Sequence, residues 1–301
     1  MHEINSWHED GAGHTILGHN IFVREQGKGT PLLLLHGFPS CSWDWHKIAP
    51  KLEKEFRLIM PDFLGMGFSD KPRSHDYTIF EQTDIIEHLM DELGIRECSV
   101  LAHDYGDSVL QELLARQQEA RLGFRIQRAL MLNGGLFPEA HNPLPTQRWL
   151  AGPLGGVIGV YLQKAHLAKA MQAIAGVENP PDANTIESWW ASIQHNKGKR
   201  VMHRIAGYMA ERETQQQRWS DALAHANIPL AMINGTLDPI SGSEMVKVYE
   251  RVVPNPRIVR LPTVGHYPQI EAPDAVAKLA SQFFSNKKQR MPSSATHRRS
   301  A

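Results

Sequence analysis

Asp104 is the residue of this sequence whose surroundings point most directly to chemistry. It follows the β-rich run 98–102 and precedes a segment with helical spacing, with the small residues Ala102 and Gly106 two positions away on either side. Such spacing is typical of a sharp strand-to-helix turn that presents a nucleophile. A carboxylate is poorly suited to hydrolysing esters or amides by direct attack, which gives an anhydride, but it can displace a leaving group from saturated carbon. The residue type therefore favours epoxide opening or halide displacement, with a helix N-cap as the alternative role for Asp104.

An acid and a histidine follow later in the chain. Asp238 comes shortly after the apolar run 228–233, and His266 lies in the loop after the run 258–261. A histidine that acts as a base needs a carboxylate to fix its tautomer and stabilise its cation. The order Asp104, Asp238, His266 is therefore the order of nucleophile, acid and base in α/β-hydrolases.

Backbone donors for an oxyanion are expected from the loop after the apolar run 32–35, which reads His-Gly-Phe-Pro at 36–39. In an enzyme of this type, the N–H of the residue after the nucleophile and an N–H from this earlier loop stabilise the developing anion. We predict that these two groups are the N–H of Tyr105 and the N–H of Phe38.

Short β-rich runs alternate with helical segments along most of the chain. This alternation predicts an α/β protein with a mainly parallel sheet flanked by helices. Residues 14–25 read as an antiparallel pair. Runs typical of buried parallel strands follow at 32–35, 56–60, 98–102, 129–132, 228–233 and 258–261. Helical spacing marks 83–93, 108–115, 242–253 and 273–284.

The alternation stops between about residues 137 and 219, where no strand is evident. We predict an α/β-hydrolase core at 1–136 and 220–285, interrupted by a helical cap, or lid, at 137–219. An ordinary helical subdomain without contact to the chemistry is the alternative. Residues 286–301 carry five Lys and Arg and no acid, and we expect a disordered basic tail there.

The composition excludes several classes of protein. The 301 residues contain 32 Lys and Arg and 32 Asp and Glu, so no net charge favours nucleic acid as a partner. Apolar residues make up 42% and the mean hydropathy is −0.37. No run approaches the roughly 18–20 apolar residues of a membrane span. Two cysteines and a start unlike a signal peptide predict a cytoplasmic protein without stable membrane insertion.

Several motifs combine into one family pattern. They are His36-Gly37-Phe38-Pro39, the run 62–72, His103-Asp104-Tyr105-Gly106-Asp107, Asp238-Pro239 and Gly265-His266. Together they resemble the epoxide hydrolase and haloalkane dehalogenase branch of the α/β-hydrolase superfamily, whose nucleophile is an aspartate. The resemblance spans roughly residues 12–285. Within it, the runs 103–107, 133–139 and 208–219 are most similar to the subgroup of the mesoderm-specific transcript protein and its bacterial relatives.

The resemblance implies hydrolysis through an ester on Asp104, with no metal or organic cofactor. Similar dehalogenases hold the halide with side-chain donors at the positions of Tyr105 and Phe38. Phe38 carries no donor, so a halide site is incomplete. Epoxide hydrolases instead use cap tyrosines to protonate the ring oxygen. This predicts Tyr208 as the donor, with Tyr161 as a second candidate whose alternative role is a core tyrosine.

We therefore predict an epoxide hydrolase that gives vicinal diols from small lipophilic epoxides. Apolar cap side chains suit such a substrate. The predicted pocket residues are Phe137, Trp149, Trp189, Trp190 and Met209. The alternatives are a haloalkane dehalogenase, a strained-lactone or ester hydrolase, and a ligand receptor on a hydrolase fold with little turnover. The sequence does not specify the natural substrate, its stereochemistry or the oligomeric state. A homodimer is among the assemblies that it allows.

Overall fold

The computed structural model describes residues 2–285 as an eight-stranded sheet flanked by helices. The predicted basic tail at 286–301 lies outside these residues. In chain order the strands are β1 (Ala12–Ile16), β2 (His19–Gln26), β3 (Thr30–Leu35), β4 (Phe56–Pro61), β5 (Glu97–His103), β6 (Arg125–Leu132), β7 (Leu230–Gly235) and β8 (Ile258–Leu261).

Helices occupy most of the connections between the strands. They are α1 (His2–Glu9), α2 (Ala49–Leu52), α3 (Ile79–Glu92), α4 (Tyr105–Gln118), α5 (Pro145–Ala151), α6 (Gly155–Tyr161), α7 (Lys164–Ile174), α8 (Ala183–Gln194), α9 (Met202–Ile205), α10 (Tyr208–Thr214), α11 (Gln216–Ala224), α12 (Ser243–Val252), α13 (Pro268–Glu271) and α14 (Pro273–Phe284). Short 3₁₀ helices lie at Ser42–Trp45, Pro138–Ala140 and His195–Arg200.

The sheet has the order β1-β2-β4-β3-β5-β6-β7-β8. β2 pairs antiparallel with both β1 and β4, and the remaining neighbours are parallel. The four leucines of β3 are fully buried, as expected for a strand covered on both faces. The predicted α/β class and the antiparallel start are confirmed. Because parallel strands end at one edge, the residues that follow β5, β6, β7 and β8 are brought together.

Residues 137–219 lie between β6 and β7 and contain helices but no strand. The last of these helices, α11, packs on α4. Glu112 of α4 is fully buried and accepts hydrogen bonds from Arg218 Nε (2.8 Å) and Trp219 Nε1 (3.0 Å). A buried carboxylate needs such partners, so the end of the inserted segment is fixed to the helix that begins beside Asp104.

Between residues 2 and 285, none of the helices has the length and apolar character needed to cross a bilayer.

Candidate active site

Asp104 occupies the turn between β5 and α4. β5 ends at His103 and α4 begins at Tyr105, and Asp104 itself has a φ of +49°. A side chain at position 106 would place its Cβ 2.3 Å from the carbonyl oxygen of Leu35, so Gly106 is required for the close approach of α4 to β3. The predicted sharp turn is confirmed. A positive φ at a non-glycine residue is sterically costly and persists where the surrounding structure enforces it.

His266 and Asp238 form a direct hydrogen bond. His266 Nδ1 lies 2.8 Å from Asp238 Oδ2, and both side chains are buried. The same carboxyl oxygen accepts hydrogen bonds from Asn133 Nδ2 (2.9 Å) and Ser241 Oγ (2.7 Å), while Oδ1 accepts from the Ile240 N–H (2.8 Å). These donors hold the carboxylate in one orientation, which fixes Nδ1 as the protonated nitrogen and leaves Nε2 for chemistry.

The loop that carries His266 is held by the carboxylate of Glu271. Glu271 Oε2 accepts hydrogen bonds from the N–H groups of Gly265 (2.8 Å) and Gly176 (2.7 Å), and Oε1 accepts from the N–H of Tyr267 (3.0 Å). On the other side, His103 Nε2 donates to the carbonyl oxygen of His266 at 2.8 Å. The backbone on both sides of the imidazole is thus fixed by buried side chains.

The carboxylate of Asp104 is buried, yet it is held in its charged form. Its Oδ2 accepts a hydrogen bond from the Phe38 N–H at 3.0 Å, and its Oδ1 lies 3.8 Å from a guanidinium nitrogen of Arg212. Burial alone would raise the pKa of Asp104, but the charges of His266 and Arg212 outweigh it and hold that pKa below its ordinary value. The Phe38 N–H therefore donates to a carboxyl oxygen of Asp104, as an oxyanion donor at this position would.

Arg212 is a site residue that the sequence analysis missed. It lies on α10, in the inserted segment, and is 2% exposed. Its Nε donates to Ser108 Oγ (2.6 Å), one terminal nitrogen donates to the carbonyl oxygen of Asp104 (3.1 Å), and its carbon Cζ lies 4.5 Å above the Tyr208 ring. The sequence signal for Arg212 is its place in the Tyr-x-x-Glu-Arg run at 208–212.

Asp107 differs from Asp104 although it is only three residues away. It is fully buried, and within residues 2–285 neither of its carboxyl oxygens has a hydrogen-bond partner. Burial, and then the charge of Asp104, raises the pKa of Asp107 well above its ordinary value. Asp107 is therefore harder to ionise than Asp104, whose pKa is held below its ordinary value.

Tyr208 and Tyr105 contribute buried phenols beside Asp104. Their rings lie 5.0 Å apart, and the Tyr208 ring lies 5.9 Å from that of Phe38. In the part of the chain that the structure describes, neither hydroxyl has a hydrogen-bond partner. Burial and the charge of Asp104 raise the pKa of Tyr208, so its hydroxyl stays protonated. Buried hydroxyls without partners are costly, which marks this corner as a place for a polar ligand group.

An apolar cavity opens next to Phe38 and His266. Its space measures about 680 Å³, which includes solvent at its open mouth. Most of its remaining lining comes from the inserted helices. The lining residues include Leu144, Leu150, Leu162, Leu167, Met171, Trp190, Ile193 and Met202. Of the five predicted pocket residues, Trp190 is in this lining.

Two of the predicted site residues point into solvent, and these predictions were wrong. Tyr161 is 74% exposed and Trp149 is 61% exposed, and neither lines the cavity. On α6 the inward face is formed by Gly155 and Gly159, which are buried, so Tyr161 is turned outward. On α5 the buried residue is Leu150, so its neighbour Trp149 faces away.

Phe137, Trp189 and Met209 also lie outside the lining of this cavity. Phe137 and Trp189 are buried, and the Met209 side chain is half-buried. Trp189 has a different role, because its indole Nε1 donates to Asp44 Oδ1 at 2.7 Å. That bond joins α8 to the loop after β3.

One group of potential metal ligands occurs within residues 2–285. It consists of His19, His75 and Glu81, whose ligand atoms lie within 4.8 Å of one another. His75 Nε2 and Glu81 Oε2 are 2.7 Å apart, so these two side chains already satisfy each other. None of the three belongs to the group around Asp104.

Comparison with known proteins connects this site to one family. The sequence model of a family described as alpha/beta hydrolase fold matches residues 30–273. The mesoderm-specific transcript protein of Mus musculus is 39% identical over 90% of this chain and 84% of its own length. LipZ of Mycobacterium tuberculosis is 35% identical over 92% of this chain and 96% of its own. The cis-3-alkyl-4-alkyloxetan-2-one decarboxylase of Shewanella oneidensis is 25% identical over 89% and 86%.

Solved structures agree with the fold. The epoxide hydrolase CorEH superposes with a TM-score of 0.77 at 20% identity, covering 91% of this chain and 98% of that one. The haloalkane dehalogenase DbeA of Bradyrhizobium elkani gives 0.76 at 21% identity, covering 91% and 97%. At these identities the likeness concerns the fold alone.

The titration of His266 tests the electrostatics of the site. Burial opposes protonation of the imidazole, but Asp238 and then Asp104 more than offset it and raise the pKa of His266 to about 9. The protonated imidazole therefore stabilises the folded protein fully below the ordinary pKa of 6.5. This stabilisation is lost as the pH rises through about 9. We expect a loss on the order of 2–3 kcal/mol in the free energy of unfolding over that interval.

The Asp238→Asn variant keeps His266 buried and removes the negative charge of residue 238. The pKa of its His266 should fall because the largest group that raises it is gone, and the loss of stability between pH 6.5 and 9 should shrink. Histidine NMR and denaturant unfolding at several pH values measure both effects. Asp274→Asn, which removes an exposed carboxylate 2.7 Å from Lys51, is the control and should leave both profiles unchanged. An unaltered His266 titration in Asp238→Asn would contradict this account.

Proposed function

The chain belongs to the α/β-hydrolase family, and on that premise we propose that it is a hydrolase that opens lipophilic epoxides through an alkyl ester of Asp104. The observation that carries this proposal is the arrangement around Asp104. A buried, charged carboxylate stands beside the His266–Asp238 pair, which is joined at 2.8 Å, and beside the unpartnered hydroxyl of Tyr208. We also propose that residues 137–219 act as the cap, because they supply Tyr208, Arg212 and most of the cavity lining.

In the first step, Asp104 attacks a ring carbon of the epoxide. Oδ2 already accepts the Phe38 N–H, so we assign the attack to Oδ1. The bond between this carbon and the ring oxygen breaks, and its electron pair goes to that oxygen. Tyr208 supplies the proton that this alkoxide needs, since an alkoxide is otherwise a poor leaving group.

In the second step, water cleaves the ester. Once Asp104 is alkylated, its charge is gone, and one of the anions that raise the pKa of His266 is removed. His266 then gives up its proton, which passes through solvent to the Tyr208 phenolate left by the first step. The neutral imidazole takes a proton from water, and the hydroxide attacks the ester carbonyl. The Phe38 and Tyr105 N–H groups stabilise the oxyanion until the diol leaves and the Asp104 carboxylate returns.

Halide displacement is supported less well. Similar dehalogenases use two side-chain donors for the halide, and Phe38 carries none. The indole of Trp189, which could serve as a donor, is committed to Asp44 at 2.7 Å. The Tyr105 hydroxyl would be left as a single donor at those positions.

Opening of a strained lactone is the second candidate function, and Arg212 favours it. Attack of Asp104 on the carbon that bears the ring oxygen of a β-lactone would release a carboxylate, which needs a cation rather than a proton. One terminal nitrogen of Arg212 is buried without a hydrogen-bond partner among the described residues. A relative of this chain is named as a decarboxylase of such a lactone.

A receptor with little turnover is supported least. Binding alone requires neither the hydrogen bond between His266 and Asp238 nor a strained backbone at Asp104. Fold by itself does not decide between enzyme and receptor, so trapping the intermediate is the deciding test.

Replacing His266 by Gln should stop the reaction after its first step, because no base is left to activate water. With an excess of styrene oxide, we expect one adduct per chain on the peptide that contains Asp104, detected by mass spectrometry. Turnover should fall by roughly 10²–10⁴-fold.

Two controls accompany this variant. The double variant with Asp104→Ala should form no adduct, and His225→Gln, a histidine near the end of α11, should turn over like the wild type. Absence of an adduct with every epoxide, haloalkane and β-lactone in a panel, together with no turnover by the wild type, would contradict the proposed function and favour a receptor.

Tyr208→Phe tests the proton donor. We expect kcat for epoxides to fall by about 10²-fold, because the alkoxide loses its proton source, while kcat for substrates that release halide or carboxylate changes by less than about 3-fold. Tyr161→Phe is the matched control, since Tyr161 is exposed, and it should behave like the wild type. Equal effects of the two variants on epoxide turnover would contradict the role of Tyr208.

A further inference from the structure

An apolar patch is exposed on two consecutive inserted helices. It consists of Trp149 on α5, Leu154 in the turn, and Val157, Val160 and Tyr161 on α6, with exposed fractions of 61%, 69%, 58%, 45% and 74%. These are five of the eight large apolar side chains that are exposed within residues 2–285. Groups of exposed apolar residues mark interaction sites, whereas single exposed apolar residues are common on any protein surface.

The patch is a consequence of how α6 packs. A Cβ at position 155 would lie 1.8 Å from the carbonyl oxygen of Leu150, and one at position 159 would lie 2.7 Å from that of Lys199. The glycine side of α6 therefore rests directly on neighbouring backbone. Val157, Val160 and Tyr161 are exposed, whereas Ile158 packs against the core. A surface helix normally presents polar residues at its exposed positions, but residues 149–162 include no charged residue.

Positive charge surrounds this patch. Residues 140–177 contain Arg148, Lys164 and Lys169 and no acid, and residues 195–210 contain four Lys and Arg and no acid. A depression next to Gly156 and Val160 is lined by Arg73, Arg200, His203 and Arg204. Of these cations, Lys164 pairs with Glu187, and Arg204 lies 3.5 Å from Asp76. Within residues 2–285, Arg148 and Arg200 form no ion pair, so the rim carries uncompensated positive charge beside the apolar side chains.

The same helices line the apolar cavity of the candidate active site. Leu150 and Leu162 face the cavity, and their sequence neighbours Trp149 and Tyr161 belong to the patch. The exposed patch and the cavity wall are thus opposite sides of one thin layer of helices. A ligand bound at the patch would therefore lie close to a lipophilic substrate in the cavity.

We propose that the patch and its basic rim form a docking surface for an anionic phospholipid bilayer. Trp and Tyr favour the level of the lipid headgroups, the aliphatic side chains enter the acyl boundary, and the cations bind lipid phosphates. A second copy of the chain fits less well, because a two-fold contact through this face would bring two positive rims together. Delivery of the substrate from the bilayer rests on the proposed function, but docking itself does not.

Flotation of the full chain with vesicles tests the proposal. The wild type should bind vesicles of phosphatidylcholine mixed with phosphatidylglycerol and should bind pure phosphatidylcholine weakly. Leu154→Asp combined with Val157→Asp should weaken binding to anionic vesicles by at least about 10-fold. Arg148→Gln combined with Arg200→Gln should weaken it by about 5-fold for each charge and lower its salt dependence.

Leu17→Asp is the matched control, since Leu17 is an exposed apolar residue (51%) in the turn between β1 and β2. It should bind vesicles like the wild type. All variants should keep turnover of a water-soluble epoxide, so a loss of vesicle binding separates this proposal from the proposed function.

Three results would overturn the proposal. The first is that the wild type does not float with anionic vesicles. The second is equal binding by the double Asp variant and the wild type. The third is that the wild type binds no vesicles but self-associates as its concentration rises, and that the double Asp variant does not self-associate. That result would assign the patch to a contact between copies of the chain.

Discussion

A negative charge buried at position 104 is the constraint on which the rest of this structure depends. The Asp104 carboxylate is 1% exposed, and an isolated charge at such a position would become neutral by taking up a proton. Three groups from distant parts of the chain prevent this: the Phe38 N–H, the His266 imidazolium and the Arg212 guanidinium. At Asp107, three residues further on, no hydrogen bond within residues 2–285 offsets burial, and the pKa of that carboxyl is raised well above its ordinary value. The difference between the two carboxyls comes from their surroundings, since the residue type is the same.

The inserted helices help to hold the charge of Asp104 in addition to covering the site. Arg212 from α10 donates to the backbone carbonyl of Asp104, and the carbonyl oxygen of Ile174, the last residue of α7, accepts the N–H of His266 at 2.9 Å. The cavity walls, Tyr208 and the counter-charge of Arg212 therefore come from the segment between β6 and β7, whereas Asp104, His266 and Asp238 come from the sheet edge. A change in the inserted helices should alter the pKa of Asp104 as well as the shape of the pocket.

The sequence was sufficient for the sheet and for the positions of Asp104, Asp238 and His266 along its edge. Each follows a strand whose apolar run is evident, and parallel strands end at the same edge. The sequence was insufficient to predict which faces of the inserted helices are buried. α5 and α6 have seven residues each, which is too few for periodicity to show the buried face. Tyr161 and Trp149 were therefore assigned to the wrong side. The bonds of Arg212 to Asp104 and Ser108, and the bond from the Gly176 N–H to Glu271, join segments far apart in the chain, and a single sequence does not show such contacts.

The central claim is that a carboxyl oxygen of Asp104 becomes covalently joined to the substrate. A single turnover in water enriched in ¹⁸O tests it most directly, with mass spectrometry of both the product and the peptide that contains Asp104. Because water attacks the carbonyl carbon of the ester, the account predicts that the label enters the Asp104 carboxylate while the first diol formed is unlabelled. Label in the diol and none in the peptide would contradict the account.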